Sequence, residues 1–111
     1  KAAGGPWALA KGFDASAPIG AWIPARDWRP SDASAIELRV NDDIRQSGRL
    51  GELIWSVPEL LARLSQQVTL HPGDVVFTGT PAGVGPLAVG DRVVGRIDGL
   101  PDLVIEIAPP A

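Results

Sequence analysis

The chain has 111 residues, 45% of them hydrophobic and 21% charged, which is near the globular average and enough for one domain with a core. No apolar run approaches the roughly 18 residues that a membrane-spanning helix requires, and a net charge of -3 with a pI near 4.9 and no Lys/Arg cluster argues against a nucleic-acid footprint. Cysteine is absent and histidine occurs once, which removes disulfides, thiolate ligands, thiol nucleophiles and a two-histidine metal site. A cytoplasmic protein without a signal segment is the expectation.

Trp7, Leu9, Lys11 and Phe13 alternate, so they share one face if this segment is a strand. Lys11 then points inward. An inward ammonium must find an anion or snorkel out, and a lysine that protects an edge strand from aggregation is the competing reading. Residues 14–32 contain Pro18, Pro24 and Pro30, which break regular structure, and Trp22, Ile23 and Trp28 are expected to anchor this stretch on the core. Ile36, Leu38 and Val40 alternate with Glu37 and Arg39 in the pattern of a half-buried strand. Asn41-Asp42-Asp43 then turns the chain into Ile44-Arg45-Gln46, making a hairpin. Ser56-Val57-Pro58-Glu59 reads as a capping box with proline in the first turn. Leu60, Leu61, Leu64 and Val68 form an apolar stripe at helical spacing, which predicts one helix of about three turns packed on a sheet.

Pro72-Gly73-Asp74 supplies a turn, with His71 a solvated turn residue, and Val75-Val76-Phe77 predicts a buried strand. Thr78-Gly79-Thr80-Pro81, followed by Gly83 and Gly85, leaves backbone N–H groups uncovered by side chains. Such a loop suits close approach to an anionic oxygen, and a plain glycine-rich turn fits the spacing as well. No Gly-Lys-Ser/Thr follows, so it is not a nucleotide loop. Gly90-Asp91 opens a strand over 92–97, Asp98-Gly99 is a hairpin signal, and Leu103, Ile105 and Ile107 alternate through the last strand, with Pro101 tolerated at an edge. Six or seven strands against one long helix predict a mainly β domain.

The string from Gly73 to Gly85, read as G-D-V-V-x-T-G-T-P-x-G-V-G, resembles the signature of the fumarylacetoacetate hydrolase family, in its small acylpyruvase-like branch. The segments Trp7 to Phe13, Val40-Asn41 with Arg45-Gln46-x-Gly48, and Ser56 to Leu60 resemble that family's segments in its order. The resemblance implies a mixed β-sandwich or roll with one main α-helix. It also implies that residues 1–111 are the C-terminal portion of a catalytic domain acting on 2-oxo dicarbonyl acids by hydrolysis or decarboxylation through an enolate. On the same ground Lys11 is the active-site lysine, Thr80 donates its hydroxyl to the substrate carboxylate, and Gly79 lets the backbone come close. The family's Mg2+ or Mn2+ is held by a Glu-x-Glu pair and an aspartate that precede the segment matching Lys1, so no metal ligand is expected in this chain. The isolated chain is expected to be inactive, associated with a missing N-terminal segment, and part of a homodimer when complete. Asp42, where the family has glycine, and Leu50, where it often has threonine, depart from the pattern. Isomerisation or decarboxylation in aromatic catabolism, or a non-catalytic remnant that binds a partner, are the alternative readings.

Overall fold

The computed structural model describes residues 4–110. Helix α1 (Trp7–Lys11) comes first, then strands β1 (Ala35–Val40) and β2 (Asp43–Arg49), a 3-10 turn (Leu50–Glu52), helix α2 (Val57–Ser65), and strands β3 (Arg92–Ile97) and β4 (Leu103–Glu106). The four strands form one antiparallel sheet in the order β2-β1-β3-β4. The architecture is mainly β with one main helix, as expected, but the described residues hold four strands where six or seven were predicted.

Three further segments differ from the sequence expectations. Val75-Val76-Phe77 is not a strand, and Phe77 is 67% exposed. Its composition suits a pleated surface, but no strand of the described residues hydrogen-bonds with it, and an extended segment without a partner leaves its backbone groups to water. Trp7 to Lys11 is a helical turn, closed by the Gly12 N–H on the Ala8 carbonyl, so alternation along that segment does not describe its faces. Helix α2 ends at Ser65, short of Val68 at the end of its apolar stripe, and it is covered only lightly: Leu60 and Leu64 are half-buried and none of its residues is fully buried.

Local signals hold well. Asn41 and Asp42 take φ of 50° and 70°, the two left-handed central positions of a tight hairpin turn, so aspartate preserves the turn that glycine makes at lower cost. The Asn41 side chain also braces the neighbouring turn: its amide donates to Asp91 Oδ1 (2.7 Å) and its Oδ1 accepts the Arg92 N–H (2.9 Å). The Ser56 box forms reciprocally, with Glu59 accepting from the Ser56 N–H at 2.9 Å. Trp28 anchors its stretch by donating from Nε1 to the Asp98 carbonyl at 2.9 Å, whereas Trp22 is 72% exposed.

The buried core is thin. Val40, Val93 and Val94, from the two central strands, are its members among the described residues. The radius of gyration is 15.5 Å, against roughly 13 Å for a compact chain of about 100 residues. Apolar side chains at Ile54, Val84 and Phe77 stay in the open, so the sheet carries the fold and the flanking segments are laid on it lightly.

Candidate functional site

The glycine loop is held against β2, and an irregularity in β2 arranges the contact. Val40 pairs with Asp43 and Arg39 with Ile44, but Leu38 then pairs with Gln46, so Arg45 is the extra residue of a β-bulge. Paired residues of an antiparallel ladder share a face. The bulge therefore moves Gln46, and after it Gly48, onto the face of Leu38 and Ile36, where regular pairing would have put Arg45. From there the Gln46 Nε2 donates to Thr80 Oγ1 and to the Pro81 carbonyl, each at 2.7 Å.

Two glycines let the segments approach. At Gly48 a Cβ would stand 3.3 Å from Pro81 Cβ and 2.9 Å from a Glu52 carboxylate oxygen. At Gly83, where φ is 107°, a Cβ would overlap the carbonyl oxygen of the bulged Arg45. Gly79 differs: its φ of 105° demands glycine, yet a Cβ there would meet nothing within 4 Å, so the turn is open to solvent.

Gly79, Thr80 and Pro81 form the wall between two grooves. The smaller, about 290 Å³, runs over the sheet face past Ile36, Leu38, Gln46 and Leu103. The larger, about 640 Å³, is bounded by Leu50, Leu53, Trp55 and Leu60, with Thr78 on the loop side. Leu50 thus contributes apolar surface where the family pattern often has threonine. Exposed Thr80 presents its hydroxyl at the wall, with the Gln46 amide behind it.

The structure brings Gly79 and Thr80 together and sets Lys11 elsewhere. Lys11 closes α1, exposed, with Nζ 5.4 Å from the centre of the Trp7 ring, and it lines neither groove. Gln46 is the residue whose role sequence reasoning missed. Strand alternation alone would put Arg45 on that face, so only the register shift at the bulge reveals Gln46.

Among the described residues no three His, Cys, Asp or Glu side chains gather as a metal cluster. The carboxylates serve their own turns instead. Asp74 accepts the His71 N–H at 2.7 Å, Glu52 the Arg49 N–H at 3.2 Å, and Glu59 closes its capping box. Hydrogen bonds from the Ser56 hydroxyl and backbone hold Glu59 below the usual carboxylate range. The Ala88 N–H and the Asn41 amide do the same for Asp91. The residues described here therefore do not fit a divalent ion. Nor is any helix among them long and apolar enough to cross a membrane.

The chain is similar to known proteins over most of its length. An uncharacterised protein of Pyrococcus horikoshii is 46% identical over 105 residues, covering 94% of this chain and 45% of its own length. The mitochondrial oxaloacetate tautomerase FAHD2 of rice is 40% identical over 107 residues, covering 96% and 47%. The crystal structure of fumarylpyruvate hydrolase from Pseudomonas aeruginosa, in complex with Mn2+ and pyruvate, superposes with a TM-score of 0.89 at 45% identity, covering 96% of this chain and 46% of that one. The chain thus spans about half the length of the relatives it matches. Residues 1–108 match the family described as fumarylacetoacetate (FAA) hydrolase, C-terminal, and the chain belongs to that family.

Proposed function

We propose that this chain supplies the carboxylate-binding loop of a divalent-metal-dependent enzyme that acts on 2-oxo acids of the acylpyruvate or oxaloacetate type. The observation that carries the reading is the Thr80 hydroxyl, presented on an open glycine turn at the wall of two grooves with an amide donor behind it. A relative with the same fold was crystallised with pyruvate and Mn2+, and another is named for oxaloacetate tautomerisation. Cleavage of an acylpyruvate and tautomerisation of oxaloacetate share one requirement: an electron pair left on carbon beside a carbonyl must be held as an enolate. On this reading Thr80 donates to the substrate carboxylate, the open turn at Gly79 leaves room for its oxygens, and the Lys11 ammonium stabilises charge on the enolate oxygen. The role of Lys11 rests on the motif around it. The ligands of the divalent ion are proposed to lie in the first half of the catalytic domain, outside residues 1–111, and the whole protein is proposed to be a homodimer.

Turnover of oxaloacetate and acetylpyruvate by the whole protein tests the reading. Thr80→Val keeps the shape and removes the donor, which costs about 1–3 kcal/mol of substrate binding. The loss is expected in KM if the contact is equal in ground and transition states, and Thr78→Val is expected to cost less. A larger effect at Thr78 would show that the wrong threonine has been placed against the carboxylate.

A further inference from the structure

We propose that Gln46 is a positioning residue that turns the Thr80 hydroxyl hydrogen away from β2 and so biases it to donate to an anionic ligand. This rests on the carboxylate-binding reading of the loop. One side-chain atom, Gln46 Nε2, lies 2.7 Å from both Thr80 Oγ1 and the Pro81 carbonyl oxygen. A backbone carbonyl can only accept, so the amide must turn its nitrogen, not its oxygen, toward the loop. One of its two hydrogens then goes to Pro81 and the other to Thr80. The Thr80 oxygen is thereby occupied as an acceptor along that line, and its own hydrogen must point elsewhere. A hydroxyl free to rotate has three staggered positions for its hydrogen, and the amide removes the one that faces Gln46, which biases the hydrogen toward the ligand side before the ligand arrives.

The fold spends specific features on this contact. The bulge at Arg45 puts Gln46 on the loop side of β2, and Gly83 and Gly48 admit the loop close enough for a 2.7 Å bond. A mere clasp for the loop would need only the bond to Pro81. The second bond is to the one atom of the loop that the functional reading assigns to substrate.

The test is a double-mutant cycle on the whole protein, with pyruvate affinity measured by calorimetry in the presence of Mn2+ and pyruvamide as the uncharged control. Gln46→Met keeps the volume and removes the donor, and it is expected to weaken pyruvate about tenfold. In a Thr80→Val background it should add less than twofold, because Gln46 acts through a hydroxyl that is no longer there. Gln46→Glu reverses the bond, taking the Thr80 hydrogen for itself, and is expected to lose pyruvate at least as strongly. Pyruvamide offers the Thr80 hydroxyl a neutral carbonyl oxygen, a weaker acceptor, so its binding should fall less than that of pyruvate in all three, whereas a loosened loop would weaken both ligands alike. Additive losses in the cycle, equal losses for the two ligands, or wild-type pyruvate affinity in Gln46→Met overturns the proposal alone. A wild-type protein that fails to bind pyruvate overturns the carboxylate-binding reading and the proposal with it.

Discussion

Alanine at Gly83 and alanine at Gly79 impose nearly the same backbone strain but meet different surroundings, so the pair separates conformation from contact. The φ values are 107° and 105°, in a region that a residue with a Cβ occupies at a cost of about 1–3 kcal/mol. At Gly79 the added methyl enters open space, and that strain is the whole effect. At Gly83 the methyl overlaps the Arg45 carbonyl oxygen and would stand 3.1 Å from its carbon and 3.2 Å from Gln46 Cγ. Backbone held between the paired residues Ile44 and Gln46 cannot swing away as a side-chain tip can, so overpacking adds about 1–3 kcal/mol. Gly83→Ala is therefore expected to cost roughly twice what Gly79→Ala costs, and to disturb the Gln46 side-chain amide, which Gly79→Ala leaves in place. Urea unfolding with an unchanged m-value measures the first, and the Gln46 side-chain NH2 signals in a 15N correlation spectrum report the second. Equal destabilisation by the two substitutions would show that the loop does not press on the bulge, and the geometry built on that contact would fall.

Lys11→Ala in the whole protein is expected to lower kcat by orders of magnitude while leaving the melting temperature unchanged, and Lys11→Arg to rescue little, because a planar fork does not replace a point ammonium. Near-wild-type turnover would remove Lys11 from the reaction. Asp91 is held below the ordinary carboxylate range, so the stability it contributes is present above that range and is lost as the pH falls through the lowered value. Asp91→Asn is expected to be less stable at neutral pH and to lose less on acidification than the wild type, read as the urea midpoint against pH. Parallel curves would deny Asp91 that role.

What the sequence disclosed was what neighbouring residues decide among themselves. The Ser56–Glu59 box lies three residues apart on one turn, and Asn41-Asp42 needs only its own φ values, so both could be read before any tertiary contact was known. Val75-Val76-Phe77 needed a partner strand, which composition cannot supply, and none pairs with it among the described residues. Trp7 and Lys11 share a side at a spacing of four under either a strand or a helical period, so that segment was ambiguous in principle, and the backbone bond from Gly12 to Ala8 decided for the helix. Gly79 and Thr80 were legible as an open glycine loop suited to anions, and the proposal that they contact substrate rests on the motif they sit in. Gln46 was not, because its meaning depends on a bulge that shifts the register by one residue and on a loop 34 positions away.

The central claim, that Thr80 receives a 2-oxo acid's carboxylate, is tested most directly by a crystal structure of the whole protein grown with Mn2+ and pyruvate. The account predicts a pyruvate carboxylate oxygen within about 3 Å of Thr80 Oγ1, the hydrogen-bonding range, with Gln46 Nε2 still on the far side of that hydroxyl. Pyruvate bound with its carboxylate away from the Gly79-Thr80 turn, or a Thr80 hydroxyl that keeps no ligand oxygen within hydrogen-bonding reach, would contradict it.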